Sequence, residues 1–172
     1  TFDGLQKASS TTAKAAEMPQ IGAWFRPDGK DSIVQMVLEE GQAMKAGIRK
    51  GDRMVSIGGK PFTPIRAMEP FVGQEVEIKF RRGDRILSGK VTPAKDGALS
   101  MFLDASRKSY RVIENGGKKL AYFHLWCQGT DGFINALSAA VDRSSATDGF
   151  ILDLRDGFGG RPERYADPFF RP

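Results

Sequence analysis

One cysteine, Cys127, stands in 172 residues. A single thiol closes no disulfide framework and builds no zinc cage, and it is compatible with either cytosol or envelope. No apolar run approaches the ~20 residues needed to cross a bilayer. The opening stretch, TFDGLQKASSTTAKAAEMPQ, has no apolar central region and does not read as a signal peptide. No Gly-Lys-Ser or Gly-Lys-Thr occurs, and a dinucleotide fingerprint starting at Gly157 would need its third glycine where Pro162 stands. Phosphate cradling is therefore not expected, and no cofactor is called for. The net charge is +5, yet basic residues come singly or in pairs such as Arg49-Lys50, Arg81-Arg82, Arg107-Lys108 and Lys118-Lys119, with acids scattered among them. A phosphate-tracking surface shows a stripe with interleaved aromatics, so nucleic acid is not an expected partner. Paired acids such as Glu39-Glu40 have no metal-ligand setting, and no metal is expected.

What is present is an ordinary globular balance, 40% hydrophobic and 27% charged, in a length that fits one or two compact units. Residues 1–19, rich in Ala, Ser, Thr and Lys, read as an N-terminal arm. Residues 20–93 read as a small β-rich unit. DSIVQMVL over 31–38 is β-branched and apolar, GQAMKAGI over 41–48 is a short helical turn ended by Gly47, and DRMVSIGG over 52–59 is a strand closing on a tight turn. TPIRAMEPFVG over 63–73 places Ile65, Met68, Phe71 and Val72 at helical spacing, with Pro70 straining or ending the helix. EVEIKF over 75–80 alternates, and Gly83-Asp84 turns the chain into RILSGKVTP. Residues 94–117 read as a connector with one strand near Tyr110 to Ile113. From 118 to 172 the style changes. KLAYFHLWC and GFILDLR are apolar on both faces, as covered strands are. Between them a helix capped by Thr130 or Asp131 runs to about Arg143, with Phe133, Ile134, Leu137 and Val141 inward. Strand, helix, strand with short joins is a βαβ unit.

The run EEGQAMKAGIRKGDRMVSIGGKPF is similar to the PDZ domains of bacterial proteases, through Ala46-Gly47-Ile48, Gly51-Asp52, Val55, Ile57 and Gly59. Met44 departs from the pattern. The resemblance implies a loop, Gln20-Ile21-Gly22-Ala23, that takes the terminal carboxylate of a peptide on its backbone amides. The peptide then adds as a strand beside Ala23, Trp24 and Phe25, and Ile65 and Met68 on the helix of residues 64–72 wall the groove. Adjacent amides do form anion-binding nests, and strand addition is a recurring mode of peptide capture. Taken singly, each of Ile21, Trp24, Met68 and Phe71 reads better as plain core.

FILDLRDGFGG, residues 150–160, ends a strand in a glycine-rich loop. It resembles the Asp-Leu-Arg-Gly-Asn-x-Gly-Gly motif of the carboxyl-terminal processing peptidases. Asp153, Leu154, Arg155, Gly159 and Gly160 match, whereas Asp156 and Gly157 depart, and Gly157 stands where the asparagine belongs. The resemblance implies that an amide of Gly159 or Gly160 helps form an oxyanion hole, where one aimed donor is worth about 3 kcal/mol of barrier. The alternative is an ordinary turn closing a buried strand. KLAYFHLWCQG and the order of the elements extend the likeness over roughly residues 20 to 165.

The fold implied is α+β or α/β: a PDZ-like small β-barrel with two helices, then the first βαβ portion of a peptidase core. The family's serine nucleophile and lysine base lie downstream of the glycine turn. RPERYADPFFRP, which follows it here, contains neither. The expectation is a serine endopeptidase fragment, inactive alone, that binds peptide or protein C-termini and belongs to the periplasm or cell envelope. The competing expectation is a PDZ peptide-binding or scaffold protein whose peptidase-like part carries no chemistry. Ser144 and Ser145 sit in an expected loop with no evident base. His124 and Cys127, three apart on a strand, point to opposite faces and read as core rather than as a thiol–imidazole pair.

Overall fold

The computed structural model describes residues 17–160 and 165–170. Apart from its last residues, the arm expected over 1–19 lies outside them. Among the described residues the chain is mostly β with three helices, an α+β composition compatible with a PDZ-like domain. Two compact units divide between Ala98 and Leu99.

The first unit is built on an antiparallel sheet. Strands β2 (Ala23–Asp28), β3 (Asp31–Val37), β4 (Arg53–Ile57), β6 (Val76–Arg82) and β7 (Arg85–Val91) lie in the order β2-β3-β4-β6-β7, and β5 (Lys60–Pro61) pairs with β4. A separate two-stranded pairing joins β1 (Met18–Gln20) to β8 (Ala94–Asp96). Alternation explains the sheet. Ile78 and Phe80 of β6 are buried, whereas Glu77, Lys79 and Arg81 between and beyond them are exposed. The buried set includes Ile21, Val34, Met54, Ile57, Phe62, Met68 and Val91. Gly58 and Gly59 both have positive φ, as the two central residues of a tight hairpin require. Helix α1 (Gln42–Lys45) is a single turn that ends before Gly47, at φ 79. Strand β2 ends the sheet among the described residues and contains Pro27, which has no N–H to offer a ladder.

A buried carboxylate fixes one end of this unit. Asp52 is 2% exposed, accepts two bonds of 2.8 Å from the Arg82 guanidinium, and accepts another from the Arg49 amide. Arg82 also donates to the Gly47 carbonyl. The Gly51-Asp52 step thus ties the turn after α1 to β6. Read from sequence, Arg81-Arg82 is solvated surface; the structure instead commits Arg82 to Asp52, and that hydrogen bond raises the arginine's pKa.

Two expectations fail here. Residues 63–73 form no α-helix. They make a series of turns and a single 3-10 turn at Glu69–Phe71, with Ile65 at φ 67. The apolar spacing is met by tight turns because Pro64 and Pro70 each remove an amide donor. In addition, the stretch 94–117 is more than a connector. It holds β8, the helix α2 (Ala98–Ser109) and the strand β9 (Arg111–Asn115).

The second unit has a three-stranded sheet ordered β11-β10-β9, with β10 (Lys118–His124) in the centre. Helix α3 (Asp131–Arg143) joins β10 to β11 (Gly149–Asp153), and those two strands pair in parallel, in the register Tyr122↔Ile151 and His124↔Asp153. Strand β9 pairs antiparallel with β10. Ala121, Tyr122, Phe123 and His124 are all buried, so the centre of the sheet is covered on both faces. On α3, Phe133, Ile134 and Leu137 are buried as the spacing requires, and Val141 is half-buried. Thr130 holds the N-cap position without a side-chain cap bond. Strand β11 departs from its reading as a doubly covered strand, since Ile151 is 40% exposed at the sheet edge.

Beyond the end of its pairing with β9, β10 is continued by helix side chains. The His124 amide donates to Ser109 Oγ at 2.8 Å, and the Trp126 amide donates to Ser106 Oγ at 3.1 Å. Both serines are buried on α2. Their hydroxyls take the donors that another strand would otherwise satisfy.

Candidate functional site

The glycine turn begins where β11 ends. Asp153 is 7% exposed and accepts from the Tyr122 hydroxyl at 2.7 Å, from the Arg155 backbone amide at 3.0 Å and from the Arg155 guanidinium, closest at 2.6 Å. Tyr122 sits two register positions from Asp153 on the neighbouring strand, and the Arg111 guanidinium stacks on its ring, 3.7 Å from the centroid. The hydrogen bonds from Arg155 outweigh the cost of burial and hold the Asp153 carboxyl well below the usual carboxylate range; the same contact raises Arg155. The matched Asp-Leu-Arg is therefore a local clamp. Its aspartate is interior and its arginine folds back two residues while remaining largely exposed.

After the clamp the chain reverses. Asp156 has φ 59, a left-handed conformation that aspartate tolerates better than most side chains, at the position where the peptidase motif carries glycine. The Gly157 amide bonds to the Leu154 carbonyl and the Phe158 amide to the Trp126 carbonyl. A Cβ on Gly157 would lie 3.1 Å from both the Leu125 and Leu154 carbonyl oxygens, so the position that departs from asparagine has little room for any side chain. Phe158 is half-buried and meets Phe102 edge to face at 4.8 Å. Gly159 and Gly160 come next. Both are exposed, and among the described residues no acceptor meets either amide. Gly159 has φ 72, and its missing Cβ would lie 3.4 Å from Cys127 Sγ. The sequence places the turn's internal bonds first and its unpaired donors last.

Neither Cys127 nor His124 forms a nucleophilic pair here. Cys127 is 3% exposed, its sulfur accepts from the Gly129 amide, and burial pushes the thiol up. His124 is also buried; its Nε2 contacts the Arg155 carbonyl oxygen at 2.8 Å and its ring stacks on Trp126 at 3.9 Å. Ser144 caps back onto the Val141 carbonyl at the end of α3. Among the described residues no group of three or more His, Cys, Asp or Glu is placed to hold a metal ion, and no helix is long and apolar enough to cross a membrane.

In the first unit, Ile21 is 1% exposed and its carbonyl accepts from Ala43. Gly22 has φ 74 and its carbonyl accepts from Leu38, whereas no acceptor among the described residues meets its amide. Ala23 is buried and begins β2; Trp24 and Phe25 follow it half-buried, with Phe25 packed on Phe62 at 4.9 Å. The two residues expected to wall a groove from a helix part company: Met68 is 2% exposed within the core, and Ile65 is 42% exposed on a turn.

No family model matches this chain, and no curated protein matches it. Solved structures do. The photosystem II D1 C-terminal processing protease aligns over 93% of this chain at 19% identity, with a TM-score of 0.50. The fold of the chain is thus one found in a carboxyl-terminal processing protease. The chain spans 45% of the length of that protein. Two further similar structures are the peptide-bound PDZ domain of a carboxy-terminal protease from Vibrio cholerae and a serine endoprotease from Yersinia pestis. The first has 15% identity, covers 46% of this chain and 97% of its own, and has a TM-score of 0.37. The second has 21% identity, 47% and 30% coverage, and a TM-score of 0.39.

Proposed function

We propose that this chain is the peptide-binding and oxyanion-binding part of a serine peptidase of the carboxyl-terminal processing type. The observation that carries the reading is the split in the glycine turn: the Gly157 and Phe158 amides are consumed by the fold, while Gly159 and Gly160 are exposed and, among the described residues, their amides meet no acceptor. Donors held in place before reaction are what an incipient tetrahedral oxyanion needs, because no reorganisation is then required as charge develops. The clamp of Asp153, Arg155 and Tyr122 supplies the rigidity.

On this reading Gly22 and Ala23 receive a C-terminal carboxylate, and the peptide extends along β2. The edge position of β2 and the unpaired Gly22 amide support this. Trp24, Phe25 and Ile65 are the side chains available to a bound peptide, and Met68 acts from the core beneath. The cell envelope is the compartment where such processing fits. The test is a titration of this chain with fluorescent peptides that differ only in a free or amidated C-terminus. Preference for the free carboxylate is expected, and equal binding of the two forms overturns the peptide-binding half. The oxyanion half is tested by the complete coding sequence: a serine followed by a lysine downstream of the glycine turn is expected, and their absence overturns it.

A further inference from the structure

The glycine turn is anchored at its start by a side chain that neither the clamp nor the motif includes. His124 Nε2 lies 2.8 Å from the carbonyl oxygen of Arg155. Arg155 immediately precedes Asp156, where the backbone enters the left-handed region. A carbonyl oxygen only accepts, so the imidazole must donate, and Nε2 must carry the proton. The ring is itself fixed. Its backbone amide is bound by Ser109 Oγ, its face stacks on Trp126, and Trp126 packs on Phe102, the residue that also meets Phe158 on the far side of the turn. His124 also lies beside Asp153 in the β10–β11 register. One arm of the turn is therefore gripped through Arg155 and the other through Phe158, by a single stack of rings.

We infer that His124 is the positioning residue of the turn: its Nε2–H fixes the Arg155 carbonyl and thereby the direction in which the Gly159 and Gly160 amides face. The use made of those amides rests on the function proposed above, but the geometry does not, so the experiment reads the geometry. Imidazole nitrogen resonances of this chain at neutral pH are expected to show Nε2 protonated; a neutral Nδ1–H tautomer overturns the inference. Two variants separate positioning from filling space. Glutamine carries an amide N–H at nearly the reach of Nε2, whereas leucine keeps the bulk without a donor. The Gly159 and Gly160 amide resonances are expected to keep their positions in His124→Gln and to shift or broaden in His124→Leu, with Ile78 and Phe80 of the first unit unmoved in both. Equal displacement in the two variants, or none in His124→Leu, overturns the assignment. If His124→Leu fails to fold, the wild-type tautomer and the His124→Gln spectrum still decide. A peptide titration that shows no carboxylate preference would sink the peptide-binding half of the proposed function while leaving these resonances as they are.

Discussion

Asp153 shows how a single side chain can be charged, interior and stable at once. Its carboxyl is depressed first by Arg155 and then by Tyr122, so the sign of its pH dependence is fixed. The unfolded chain titrates this group near pH 4. Its stabilising contribution is complete above that range and declines as pH falls through it toward the lower folded value. Denaturation midpoints of the wild type are expected to drop between roughly pH 5 and pH 2 more steeply than those of Asp153→Asn. Parallel slopes would show that the clamp contributes nothing. Gly159 gives a second prediction at this scale. At φ 72, alanine meets left-handed strain of about 1–2 kcal/mol, and its methyl group would come into contact with Cys127 Sγ at 3.4 Å. Gly159→Ala should therefore lower stability by about that amount in urea titrations, whereas Gly29→Ala, at φ 62 with open space around it, meets the backbone strain alone.

At the scale of elements, packing makes some glycines irreplaceable for reasons of space rather than conformation. A Cβ on Gly89 of β7 would stand 2.5 Å from the Ala46 carbonyl oxygen, at the end of α1. Backbone against backbone has no flexible end to yield, so Gly89→Ala should cost about 1–3 kcal/mol, the range of overpacked cores, measurable by thermal unfolding. Gly22→Ala tests the peptide loop. Its methyl group would lie 3.1 Å from Gly41 Cα at φ 74; if the proposed carboxylate site needs this backbone conformation, strain near 1.4 kcal/mol that the free loop relieves by moving corresponds to roughly tenfold weaker binding of a free C-terminus. Unchanged affinity would remove Gly22 from the site. These elements differ in how far the sequence revealed them. Strand β6 and helix α3 are legible through period-2 and period-3.6 patterns, and strands β3, β4, β10 and β11 and the turn at Gly58-Gly59 through short apolar runs bounded by turn residues. The segment 63–73 misleads because its apolar spacing is helical while its prolines forbid the hydrogen bonds. Helix α2 stays hidden for the opposite reason: LSMFLDASRKS buries serines at positions where a helix normally shows apolar residues, since Ser106 and Ser109 face strand amides.

For the whole molecule, the candidate site was readable where chemistry sits in the main chain and unreadable where it depends on partners distant in sequence. The exposed amides of Gly159 and Gly160 follow from the glycine pattern. The contacts of Tyr122 and His124 with the turn do not, because they arise from the parallel register of two strands separated by a helix. On the function proposed above, amides alone leave the chemical step unaccelerated, so this chain is expected to bind peptides and release them uncut, as chromatography of a prolonged incubation would show. Any cleavage at a defined bond would overturn that expectation. One further consequence follows from Pro27. A bare sheet margin invites endless stacking of identical chains, the route to fibres. A proline set near the far end of β2 interrupts the donor row, so that edge resists becoming a template for its own kind.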